Sequence, residues 1–174
     1  MDNRVTFKWL AEIKLQCRFA LLAWKQTRSN LAALEAETTF FYVHALLQHS
    51  VSLSRICWPI RAESKQRGDQ LREILKLKDS SPLQLRDIRG HLDKDDEWLE
   101  DWIATQAEVD YVEMNLMPLG TIADYKSDSF QRSLDPETWA LELRGITLNL
   151  KTIEKEIRHL ELKSEQWMRI NNPW

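Results

Sequence analysis

Residues 81–102 read SPLQLRDIRGHLDKDDEWLEDW, and the fold turns on how this stretch is understood. Ser81 is a good N-cap, and Pro82 suits the first helical position, where a missing N–H costs no helical hydrogen bond. Leu85, Ile88, Leu92, Leu99 and Trp102 then recur at helical steps, an apolar stripe that would face inward. The spacing predicts a single helix from Pro82 to about Ala107. Between the apolar positions lie two arginines, one histidine and seven acidic side chains. Gly90 falls mid-helix, where it costs about 1 kcal/mol relative to Ala, so either the cost is tolerated or something approaches the backbone there.

Outward from this stretch, helical patterns dominate. Residues 5–27 predict an amphipathic helix with Phe7, Leu10, Ile13, Cys17, Ala20, Leu21 and Trp24 on one face. A second long helix, capped by Ser29 or Asn30, carries Leu31, Leu34, Phe41, Ala45, Val51 and Ile56 and ends at Trp58–Pro59. A short helix runs from Gly68 to Leu75. The residues around 121–135 are polar and lack helical period. Asp135-Pro136-Glu137-Thr138 is a turn signal between residues 130–134 and 139–143, where Trp139, Leu141 and Leu143 alternate with Ala140 and Glu142. This predicts a small β-hairpin near residues 129–144. A last helix aligns Leu150, Ile153, Ile157, Leu160 and Trp167. The fold class expected is mainly α, a helical bundle with one small hairpin, in a single domain spanning 1–174.

Composition limits the function classes. The 174 residues are 43% hydrophobic and 29% charged, a globular balance. A formal net charge of −3 offers no global field for nucleic acid, so any RNA contact would use local patches. Cys17 and Cys57, both in apolar helical patterns, read as reduced, buried thiols in a cytoplasmic protein. No apolar run reaches the roughly 18 residues of a membrane span. The eight tryptophans read first as core and interface anchors. No Gly-rich phosphate loop, C-x-x-C pair or H-E-x-x-H string is present. His44 and His49 diverge by about 140° on one helix and read as ordinary helix residues. The run Asp93, Asp95, Asp96, Glu97, Glu100 and Asp101 reads as a solvated face rather than a metal site. Asp95 alone falls on the apolar stripe, which predicts pairing with an arginine of a neighbouring helix or a place at a polar interface. Neither cofactor nor metal is expected.

What remains is an arginine–histidine constellation. Metal-free RNA cleavage needs a base for the 2′-OH proton, an acid for the leaving oxygen and a cation for the phosphate charge. Histidine serves as acid or base near neutrality, and arginine grips phosphate in a bidentate way. Arg86 and Arg89 are the candidate phosphate ligands and His91 the candidate acid or base. Asp87, one turn before His91, is the candidate to orient its imidazole. Arg86 and His91 diverge by about 140° on an ideal helix, so both reach one phosphate only if the helix is irregular near Gly90 or two copies pool their residues. The plain alternative is a surface helix with i,i+4 pairs such as Arg89–Asp93.

Three stretches in order, FFYVHALLQHSVSLSRICWPIR (40–61), LREILKLKDSSPLQLRDIRGHLDKDDEWLEDW (71–102) and FQRSLDPETWALELRGITLNLKTIEKEI (130–157), resemble a group of small bacterial HEPN-like proteins. The shared features are a long helix ending near Trp-Pro, an SPL helix start, a core of the form Arg-Asn-His-x-Glu-His followed by acidic residues and Trp, and an Asp-Pro hairpin before the final helix. The resemblance covers about residues 40–160. It implies a HEPN-like helical bundle, usually a homodimer, whose wider superfamily includes metal-independent ribonucleases of toxin–antitoxin and phage-defence systems built on an R-x4–6-H motif. On this frame Arg89 takes the place of the family arginine and Lys94 that of its histidine, with Gly90, His91, Leu92 and Asp93 between them. Trp98 stands where the group usually has Arg. The literal motif is instead met by Arg86, Asp87 and His91. Two functional expectations follow. One is an endoribonuclease working through Arg86, Asp87, Arg89 and His91, with Arg86, Arg89 and Lys94 on the RNA and an antitoxin or other protein as a further partner. The other is a catalytically inactive HEPN-like protein that binds a protein or nucleic acid through the 82–106 helix.

Overall fold

The computed structural model describes residues 1–106, 110–118, 121 and 129–172. It is mainly helical with a small sheet: α1 (Asn3–Ala32), α2 (Ala36–Cys57), α3 (Lys65–Leu75), α4 (Arg86–Asp93), α5 (Asp95–Gln106), β1 (Val112–Asn115), β2 (Phe130–Leu134), β3 (Ala140–Leu143), β4 (Ile146–Asn149) and α6 (Leu150–Ile170). Among the described residues no helix is long and apolar enough to cross a membrane. The part of the polar 121–135 stretch that covers 122–128 lies outside the described residues, as does Ala107 at the expected end of the motif helix.

The chain forms two compact units, one of Met1–Trp24, His44–Leu85 and Thr152–Trp174, the other of Lys25–Val43 and Arg86–Lys151. In the first, Leu10, Ile13, Cys17 and Ala20 of α1, Leu46, Leu47, Leu53 and Cys57 of α2, Leu71 and Leu75 of α3, and Ile153, Ile157 and Leu160 of α6 are buried. These are the centres of the stripes that helical periodicity predicts for α1 and α6, while Phe7, Leu21 and Trp167 of the same stripes are half-buried. Cys17 and Cys57 are free and buried, as expected, and burial pushes the Cys57 thiol up to about 12. Gly68 lets α3 close on the end of α2, since a Cβ there would lie 2.5 Å from Pro59 Cδ and 3.0 Å from the Cys57 carbonyl. Arg72 Nη1 then donates to that carbonyl at 2.7 Å, satisfying one of the open acceptors at the helix end.

The boundary between α1 and α2 differs from the expected one. Ser29 and Asn30 lie inside α1, which stops at Ala32. Leu34 adopts φ 58°, Glu35 N donates to Asn30 O at 3.0 Å, and Leu34 N donates to Leu31 O at 3.1 Å. This is the paired C-terminal closure normally built on glycine, here made with leucine. Of the apolar positions expected on this helix, Leu31 and Val51 are buried while Leu34 and Phe41 are exposed, and α2 instead turns Phe40, Val43, Leu46 and Leu47 inward.

In the second unit the sheet order is β1-β2-β3-β4, with β1 parallel to β2 and the remaining neighbours antiparallel. The expected hairpin is present as β2 and β3. Asp135 Oδ1 accepts from Glu137 N and Thr138 N at 2.8 and 3.1 Å, which turns the chain. Trp139 is not a strand residue: at φ 61° it closes this turn, and β3 begins at Ala140. β4 follows after the two-residue turn Arg144–Gly145, with Leu143 paired to Ile146. Asn115 Nδ2 donates to Ser133 Oγ at 2.9 Å and ties β1 to β2. Leu134, Leu141, Phe130, Ile88, Trp98, Trp102 and Leu150 are among the buried side chains of this unit.

Candidate functional site

The stretch expected to be one helix is three pieces. Ser81 Oγ accepts from Leu83 N at 3.3 Å and caps a short 3-10 turn, Pro82–Gln84. Leu85 follows at φ 41°, in the left-handed region, and α4 starts afresh at Arg86. α4 runs unbroken past Gly90, whose missing Cβ would meet nothing within 4 Å, and ends where Lys94 N donates to His91 O at 3.2 Å. α5 begins at Asp95. The break at Lys94 shifts the helical phase, so Trp98 is buried and Leu99 only half-buried, the reverse of the continuous stripe.

α4 divides the candidate residues by exposure. Arg86 and Asp87, in its first turn, are exposed, and Arg89 is buried and already engaged within the protein. Arg86 is therefore the accessible cation of the two. His91 is half-buried, and its ring stacks on the indole of Trp98 with centroids 4.6 Å apart and planes inclined by 28°. Among the described residues, Asp87 makes no hydrogen bond to His91. Among the described residues, the imidazole has an indole against it and no carboxylate partner. Arg86 and His91 remain on divergent directions of one regular helix, so the irregularity at Gly90 that could have brought them together is not there.

Lys94 is exposed and bonds Glu97 through Nζ at 2.7 and 3.0 Å. That hydrogen bond first, and the Glu97 charge second, hold its pKa above the ordinary lysine value. A lysine base near neutrality needs the opposite shift. The acidic positions Asp93, Asp95, Asp96, Glu97, Glu100 and Asp101 are all exposed, as a solvated face requires. Among the described residues no group of three or more His, Cys, Asp or Glu is gathered to hold a metal ion.

Asp95 has the arginine partner that its place on the stripe predicts, although the arginine comes from a β-turn instead of a helix. Arg144 Nη1 donates to Asp95 Oδ1 at 2.8 Å and to Asp95 O at 3.2 Å. The Arg144 guanidinium lies over Trp98, with Cζ 4.8 Å from the ring centroid. Arg132 on β2 is near enough that the Arg144 charge, after burial, lowers its pKa, while Glu113 and Asp95 oppose the shift. Sequence reasoning missed Arg144 and Arg132 because the partners are far apart in the chain. The one local signal was Arg144-Gly145, a dipeptide suited to a two-residue hairpin turn.

Comparison with protein-family models, curated proteins and solved structures gives no match to this chain.

Proposed function

We propose that this chain is a HEPN-like, metal-independent endoribonuclease of toxin–antitoxin or phage-defence type, acting as a homodimer. The observation that carries this is that α4 bears both an exposed Arg86 guanidinium and a half-buried His91 imidazole stacked on an indole. His91 would take the proton of a ribose 2′-OH as that oxygen attacks the adjacent phosphorus. The bond from phosphorus to the 5′ oxygen breaks, and a second His91 returns a proton to the leaving oxygen. A 2′,3′-cyclic phosphate and a 5′-hydroxyl result. Arg86 would bind the phosphate oxygens through its fork of N–H donors. Because the two side chains diverge on one α4, two copies pooling their residues answer the geometry best, with Arg86 of one protomer beside His91 of its partner.

A second reading, an inactive HEPN-like protein that binds a partner through the same region, is favoured by Lys94. That residue is tied to Glu97, which holds its pKa above the ordinary lysine value, the wrong direction for a base near neutrality. Incubation of purified protein with total RNA and a labelled tRNA pool in EDTA separates the two. Cleavage by wild type that is lost in folded His91→Ala and reduced in Arg86→Ala supports the nuclease. Absence of cleavage by folded wild type, with partner capture unaffected by His91→Ala, supports the binding protein.

A further inference from the structure

Arg144 and Gly145 stand at φ 45° and 85° in the two-residue turn between β3 and β4. Two successive positive φ angles give the hairpin turn whose first position favours Asn, Asp or Gly. An arginine there carries a steric cost that those residues avoid. Local strain of this kind asks what the unusual residue does. Its side chain is only 4% exposed, and its Nε is buried without a hydrogen-bond partner among the described residues. The contacts it does make are directional: Asp95 fixes Nη1, and the guanidinium plane lies over Trp98. Trp98 in turn stacks on His91. That stack, with centroids 4.6 Å apart, gives the His91 ring a flat surface to lie against.

We infer that Arg144 is a positioning residue for His91, acting through Trp98. Asp95 holds the guanidinium, the guanidinium holds the indole, and the indole holds the imidazole in one plane. The arginine both reaches Trp98 from that position and lays a planar cation over it, whereas lysine offers charge without the stacking plane. The inference rests on the reading of His91 as the acid–base group, and its test is chosen to be independent of cleavage.

The variant to make is Arg144→Asn, which places at the turn the residue its geometry prefers and so keeps the hairpin. The ring C–H signals of His44, His49, His91 and His159 are recorded by NMR, assigned by single His→Gln variants. The ring current of Trp98 moves the His91 signals upfield in wild type. In folded Arg144→Asn they move toward the position of free histidine, while those of His44, His49 and His159 stay in place; Arg144→Lys moves them as well. His91 signals that coincide with wild type in folded Arg144→Asn overturn the inference. In the cleavage assay Arg144→Asn lowers kcat by about tenfold, with KM held within about twofold, as expected for misplacement of a reacting group. Failure of wild type to cleave would overturn the acid–base reading alone, and the NMR result would still decide the positioning.

Discussion

Arg144 Nη1 lies 2.8 Å from Asp95 Oδ1, so a β-turn and the first turn of a helix 49 residues away share one ion pair. The arginine side chain is 4% exposed and the aspartate 50%, so the two partners stand to lose unequally. Asp95→Ala leaves a buried guanidinium without its carboxylate and should destabilise the protein by about 1–3 kcal/mol. Asp95→Asn, which keeps an acceptor, should cost less. Urea denaturation of both variants checks the order.

Two helical glycines should respond in opposite directions to the same change. Gly68→Ala puts a methyl against Pro59 and the Cys57 carbonyl and should destabilise by about 1–3 kcal/mol, because backbone and proline ring cannot yield cheaply. Gly90→Ala meets nothing and should stabilise by about 0.5–1 kcal/mol through helix propensity. Thermal melts of the pair decide this.

Leu34 holds a left-handed conformation and is 72% exposed, so it contributes strain and little packing. The left-handed cost for a non-glycine residue is about 1–2 kcal/mol, against about 0.5–1 kcal/mol for the added freedom of glycine in the unfolded chain. Leu34→Gly should therefore stabilise the protein by about 0.5–1 kcal/mol, read from denaturation midpoints.

His49 Nδ1 is 2.8 Å from Gln16 Oε1, and its ring lies 5.1 Å from that of Phe19. Partial burial lowers its pKa below the ordinary 6.5. The unfolded chain takes up this proton before the folded protein does, so stability falls as pH drops from above about 6.5 toward the lowered folded value. Denaturation at a series of pH values between 7.5 and 5 should show this slope, and His49→Gln should flatten it.

Much of the architecture was legible because it is periodic. The inward stripes of α1 and α6, the Trp58–Pro59 stop and the Asp135 turn follow from residue spacing and side-chain chemistry that act locally. The boundaries that went astray share a cause. With only four glycines in the chain, several left-handed positions fall to Leu34, Lys76, Leu85, Trp139 and Arg144. None of these residues advertises a stop in sequence. Leu85, on an apolar stripe, hid the start of α4, and the phase change at Lys94 hid the burial of Trp98. β1 is short and pairs in parallel with the next strand, a pairing that no hairpin turn can mark. At the candidate site, residue type and the R-x4-H spacing are enough to point to Arg86 and His91. The Trp98 stack and the Arg144–Asp95 pair depend on tertiary contacts that spacing does not encode.

The most direct test of the central claim is the chemistry of the RNA ends. A defined oligoribonucleotide is incubated in EDTA with wild type and with folded His91→Ala, and the product termini are identified by mass. Attack by the 2′-OH with His91 as acid or base predicts 2′,3′-cyclic phosphate and 5′-hydroxyl ends from wild type, and a loss of rate of about 10²–10⁴-fold in His91→Ala. Intact RNA with folded wild type, or equal cleavage by His91→Ala, would contradict it.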